Sequence, residues 1–153
     1  MKTFLAALST LIIIVFPASG LLCHCEIPCG IYNDELRIFI IEEHVDTIEK
    51  SMKMILKLKE EGNLNYNQIV RWINNKEYHA ESIQEIVQRY FMTQRIKPAA
   101  REDETAYKDY IEKLALMHEM LIYAMKAKQS VDTGNVEKLR EILKNFKALY
   151  FNE

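Results

Sequence analysis

Residues 23–32 read Cys-His-Cys-Glu-Ile-Pro-Cys-Gly-Ile-Tyr and gather all 3 cysteines and one of the 4 histidines of the chain into one short stretch. Three chemistries fit that composition: a small disulfide loop between Cys25 and Cys29, a lipid anchor on Cys23, or a metal site uncovered by proteolysis. A lipid anchor needs a leucine three residues before its cysteine and a small residue just before it. Gly20 and Leu22 stand there instead, so that reading is disfavoured.

A cut between Cys23 and His24 transforms the donor set. His24 then carries a free α-amine, which closes a five-membered chelate ring with the deprotonated amide nitrogen of Cys25. The same amide nitrogen and the Cys25 thiolate close a second ring. Cys29 completes a plane once the chain doubles back, a turn that Pro28 favours, with a cis bond among its options, and that Gly30 permits through positive φ or close backbone approach. The His24 imidazole reaches an axial position above that plane. Two nitrogens and two thiolates in a plane suit nickel(II) or copper(II), whereas zinc prefers a tetrahedron. Anionic donors also stabilise a higher oxidation state, which opens a redox cycle. A Cys25–Cys29 disulfide remains the alternative at this point.

What precedes the stretch bears on that cut. Lys2 opens the chain, an apolar run extends from Phe4 to Phe16, Pro17 ends it, and Ala18-Ser19-Gly20 follows. A cationic start, a short apolar run and a small-residue cleavage site read as an export signal. The run is shorter than the ~20 residues a membrane span needs, although a retained anchor helix is the competing reading. Export places the protein where disulfides are allowed. Signal cleavage after Gly20 would leave Leu21-Leu22-Cys23 before His24, so a maturation protease would have to trim further. Residues 1–23 are thus expected to be removed, leaving 24–153 as the working domain with no stable membrane span. Loss of Lys2 moves the formal charge from -2 to -3.

The remainder must position that terminus. Composition is 49% hydrophobic and 27% charged with 4 Gly and 3 Pro, too few chain breakers for anything but a helix-rich domain. At this length roughly 68–70% of the unfolded surface is buried, so no covalent staple is needed. The near-neutral charge and lack of a basic run exclude nucleic acid as a partner. From about Asp34 to Glu60, Ile38, Ile41, Val45, Ile48, Met52 and Ile55 form one helical stripe, and Gly62 is available for a left-handed C-cap. A second helix is expected from Asn67 to Ile96 on Ile69, Ile73, Ala80, Ile83, Val87 and Tyr90, its stripe broken once by Lys76; Pro98 closes it. A third runs from Glu104 to Lys128 on Tyr110, Leu114, Met117, Leu121 and Ala124. The fourth begins near Asn135 with Val136, Leu139, Leu143, Phe146 and Tyr150. The fold expected is all-α: an antiparallel four-helix bundle over residues 34–153, with sustained three-four spacing that favours small crossing angles.

Chemistry inside the bundle is not expected. Di-iron bundles need Glu-x-x-His on two helices, but Ile41, Lys76 and Ala115 stand three before His44, His79 and His118. The His-Glu pair at 118–119 lacks the second histidine of a metalloprotease helix. The helix histidines read as surface or interface residues, Trp72 and the tyrosines as core or subunit contacts, and the methionines as packing.

His24-Cys25-x-x-Pro28-Cys29-Gly30-x-Tyr32 resembles the N-terminal hook of the nickel superoxide dismutases, H-C-x-x-P-C-G-x-Y, and the four-helix reading agrees with that family, so the likeness covers residues 24–153. The resemblance implies an oxidoreductase that converts superoxide to dioxygen and hydrogen peroxide, with one nickel ion per subunit held by His24, Cys25 and Cys29. It implies that Tyr32 stands over the open face, that Pro28 shapes the hook through a cis bond, and that an arginine of a later helix, best matched by Arg71, orients the axial histidine. It further implies a homohexamer in which neighbouring subunits bury the hook. Glu26 replaces the aspartate of the best-known members, and the glutamate that pairs with their axial histidine has no equivalent, since Ile38 to Ile41 is wholly apolar. A competing class is an exported helical-bundle protein that binds partners or delivers metal, its two remaining cysteines joined or its metal site non-catalytic.

Overall fold

The computed structural model describes residues 26–62 and 65–152; the leader, His24 and Cys25 lie outside them. Four helices follow in chain order: α1 (Asp34–Glu60), α2 (Tyr66–Glu85), α3 (Glu104–Gln129) and α4 (Gly134–Phe151), with α2 continuing as a wider helical segment over Ile86–Arg95. Neighbours α1–α2, α2–α3, α3–α4 and α1–α4 pack together, which is an up-down-up-down bundle. The expected all-α fold is the one found.

Helix α1 starts where Asn33 caps it, its side-chain oxygen accepting from the Leu36 amide at 3.0 Å, as N-caps do for otherwise orphaned amides. It stops before Gly62, whose φ is +71°, the left-handed geometry a C-cap glycine provides. Between these ends, Ile38, Ile41, Val45, Ile48 and Met52 of the expected stripe are buried, while Ile55, its last member, is half-buried.

Helix α2 follows its expected stripe only in part. Ala80, Ile83, Val87 and Tyr90 are buried, but Ile69 is half-buried and Ile73 is exposed. The reason is length. The 27-residue α1 spans about 40 Å and the 18-residue α4 about 27 Å at 1.5 Å per residue. No residue of α1 beyond Met52, and none of α2 before Lys76, is buried, so the α1–α2 hairpin projects past the shared core.

Lys76, the break in the stripe, marks the edge of that core. Its side chain is only 3% exposed, and its Nζ donates to the carbonyls of Ala127, at 2.6 Å, and of Lys128. These are among the last carbonyls of α3, which have no partner within their own helix and carry the negative end of its dipole. A buried ammonium is tolerated here because it closes another helix.

The second helix widens over its last ten residues. The Ile96 amide donates to the Phe91 carbonyl at 2.8 Å, five residues back rather than four. Thr93 and Gln94 side chains donate to the carbonyls of Gln88 and Arg89, also five back, at 2.7 and 3.0 Å. Beneath this segment Phe91, Phe146 and Tyr150 meet with ring centroids 5.2 to 5.5 Å apart. The start of α1, the widened segment and the end of α4 therefore share one end of the bundle, and the hook leads directly into it.

Candidate metal centre

The described part of the hook is a tight reversal. The Cys29 amide donates to the Glu26 carbonyl at 2.9 Å, and the Ile31 amide to the Pro28 carbonyl at 2.7 Å. The Ile27–Pro28 bond is cis, and Gly30 has φ +82°, a value that a residue with a Cβ rarely adopts. Cys29 is left exposed at the turn. The Glu26 carboxylate pairs with Arg89 at 3.6 Å, tying the turn to the widened helix.

Tyr32 follows the turn and is 38% exposed. The guanidinium of Arg95 lies over its ring at 4.4 Å from the centroid, and Tyr90 meets it edge-on at 5.9 Å. Both residues also converge on Asp34, in the first turn of α1. Arg95 donates Nε to Oδ1 at 2.8 Å and Nη2 to Oδ2 at 2.6 Å. Tyr90 donates to Oδ1 at 2.5 Å and Tyr150 to Oδ2 at 2.8 Å. The Tyr90 oxygen in turn accepts from the Asn33 amide at 2.9 Å. One carboxylate thus joins the start of α1, the widened segment and the end of α4, immediately behind the hook.

The electrostatics follow from these contacts. Burial pushes the Asp34 carboxyl upward, but Arg95 and the two tyrosine hydroxyls outweigh it and hold its pKa below the ordinary aspartate value. Burial, then the hydrogen bond to Asp34, pushes both Tyr90 and Tyr150 up to about 12. Arg95 is raised by the same carboxylate. At neutral pH the cluster is one anion, one cation and two firmly protonated phenols.

The remaining candidates lie elsewhere. His44 and His79 face each other across α1 and α2, Nδ1 to Nδ1 at 2.7 Å, both half-buried rather than at the surface. Their centroids are 4.9 Å apart, so the two nitrogens point almost head-on, the geometry of an N–H···N bond and not of two ligands sharing a metal. His118 is exposed. Arg71 is exposed on the projecting part of α2. The Asn75 to Ser51 hydrogen bond of 3.0 Å sets the register, and at 1.5 Å per residue Arg71 lies about 30 Å along the bundle from Asp34. Among the described residues no three His, Cys, Asp or Glu side chains gather as a metal site, and no helix is long and apolar enough to cross a membrane. Tyr90 and Tyr150 were expected on the apolar stripes of their helices, but their meeting with Arg95 on Asp34 was not: the three partners lie 56 to 116 residues from Asp34, and no local pattern announces it.

Among the described residues, the chain reverses between Glu26 and Ile31 and leaves the Cys29 thiol exposed, so one thiol donor suited to a transition metal is accessible at the turn. Residues 19–153 match the model of the family described as nickel-containing superoxide dismutase. No curated protein and no solved structure matched the chain.

Proposed function

The chain belongs to the nickel-containing superoxide dismutase family, an oxidoreductase family with nickel as cofactor, and on that premise we propose that it disproportionates superoxide at the hook formed by residues 24–32. The observation that carries the reading is the reversed turn that presents Cys29 three residues before Tyr32, directly after the His24-Cys25 pair. His24 is the mature terminus and supplies its amine and imidazole; Cys25 supplies its amide nitrogen and thiolate, and Cys29 the second thiolate. When bound, nickel supplies the one-electron exchange with superoxide, alternating between its two- and three-valent states.

The chain's own residues govern access and protons. Tyr32 restricts the mouth to small species. Tyr90 and Tyr150, both pushed up to about 12 and fixed on Asp34, hold their protons at neutral pH. The protons for peroxide come from Tyr32, from water or from a protonated thiolate of the hook. A net charge near -3 does not attract an anion globally, and Arg95 and Arg89 are paired with Asp34 and Glu26, so local attraction at this end rests on Arg37, over the Tyr90 ring at 5.1 Å. Such local attraction suits a reaction whose ceiling is roughly 10⁸–10⁹ M⁻¹s⁻¹.

Ile27 and Ile31 on the hook are 90% and 82% exposed, with Leu36 and Phe39 also exposed nearby. These residues support burial of the hook against neighbouring subunits, in the hexamer that the family resemblance implies. Arg71, distant from its own hook, could orient a histidine only in another subunit's hook. Export, leader removal at residue 23 and trimming by a maturation protease complete the proposal.

The test compares protein beginning at His24 with protein that retains Cys23. The first should bind about one nickel per chain and dismutate superoxide. Equal performance by the second would overturn the amine-ligand reading. Cys25→Ser and Cys29→Ser should each abolish turnover with helix content unchanged. Nickel binding without turnover in the His24 form would indicate a delivery protein instead.

A further inference from the structure

We propose that Arg95 is the positioning residue that holds the Tyr32 ring over the mouth of the hook. The inference rests on the reading of residues 24–32 as the nickel site. The Arg95 guanidinium has its edge engaged by Asp34 through two hydrogen bonds, at 2.8 and 2.6 Å, and its central carbon lies over the Tyr32 ring, 4.4 Å from the centroid. Asp34 is itself fixed by Tyr90 and Tyr150, so the guanidinium plane cannot rotate without breaking a four-donor arrangement. Tyr32 sits on the short connection between the turn and α1, where backbone structure alone does not fix a side chain. Without Arg95, only the edge contact with Tyr90 would remain among the contacts described.

The widened segment explains how one helix supplies both sides of this clamp. On an ordinary α-helix, residues five apart diverge by about 140°. Hydrogen bonding five residues back narrows that angle, and Tyr90 and Arg95 both reach Asp34 and Tyr32. Wider turns within helices recur at functional sites; here the widening serves the tyrosine. Lysine cannot substitute, because a point charge on a flexible stem lacks the rigid fork that Asp34 holds at two points while the charge stays over the ring.

The experiment uses mature protein with Arg95→Lys, which retains a charge for Asp34, and Ile142→Val, a core change remote from the hook, as a control for lost stability. In nickel-free and nickel-loaded protein, NMR of the Tyr32 ring, assigned through Tyr32→Phe, should show its resonances moved in R95K and unmoved in I142V. Nickel content should stay at about one per chain, while kcat/KM for superoxide falls roughly tenfold in R95K alone, as displacement of a positioned group does. If R95K retains wild-type Tyr32 resonances, or moves them without lowering kcat/KM, or loses no more activity than I142V, the proposal is overturned. Should R95K fail to fold, Tyr32→Leu reads the contact from the other side. The Arg95 Nε proton, shifted by the ring in wild type and Y32F, must move in Y32L, and an unmoved proton refutes the stack. A wild-type enzyme without dismutase activity would defeat the nickel-site reading, yet the resonances would still decide the contact.

Discussion

Replacing Asp34 by asparagine should lower folding stability by about 2–3 kcal/mol. Asp34 accepts two bonds from Arg95 and one each from Tyr90 and Tyr150, all between 2.5 and 2.8 Å for the closest contacts. Hydrogen bonds to charged groups contribute about 1.5–3 kcal/mol each when removed singly, and breaking a fully buried ion pair costs about 3–5 kcal/mol. The pair is not fully buried: Arg95 is 28% and Asp34 15% exposed. Water re-solvates part of the orphaned guanidinium, and asparagine retains one acceptor, which brings the expectation below the buried limit. For a domain of this size that is a fall in Tm of about 10 °C. Denaturant unfolding followed by circular dichroism measures it, and pH identifies its origin. Because the folded pKa of Asp34 lies below its ordinary value, its contribution is full above that value and is lost as pH falls through the folded pKa. The gap between wild type and D34N should therefore be constant near neutrality and narrow in strong acid. A gap under about 0.5 kcal/mol, typical of an inconsequential surface change, or one that persists unchanged in acid, would refute the reasoning.

Two further outcomes follow from the bundle. Lys76→Met should cost about 2–3 kcal/mol, since it strips buried partners from two carbonyls at the end of α3; equal or greater stability by urea titration would refute the capping role. Burial, then for His44 the neighbouring His79, depresses both histidine pKa values. Unfolded protein thus binds more protons below about pH 6.5, and stability should decline as pH falls from there toward the lowered folded values. His44→Gln with His79→Gln should flatten that slope, and an unaltered slope would contradict it.

The parts of this protein that could be read in its sequence are those whose information is local. Helix α1 was expected at Asp34–Glu60 and lies there, because Asp34-Glu35 opens it, Gly62 closes it and the stripe between is unbroken. The turn at residues 26–31 was readable for the same reason: Pro28 and Gly30, the residues that shape it, are neighbours in the chain. Lys76 was visible as a break, but its purpose depends on the end of α3, 51 residues away. Ile69 and Ile73 carry a core-like period yet project beyond α4, since periodicity reports which face is apolar and not whether a partner is long enough to cover it. The single helix expected to Ile96 hid the widening over Ile86–Arg95, because a change from four- to five-residue hydrogen bonding leaves little trace in apolar spacing. The Asp34 cluster was invisible altogether: a helix-initial aspartate, two tyrosines and an arginine are unremarkable until three helix ends meet.

Intact-protein mass spectrometry under native conditions, with elemental analysis of the same sample, addresses the central claim directly. A chain that starts at His24, carries one nickel and has both cysteines reduced is the predicted result. A retained leader, or Cys25 joined to Cys29 in active protein, would contradict it.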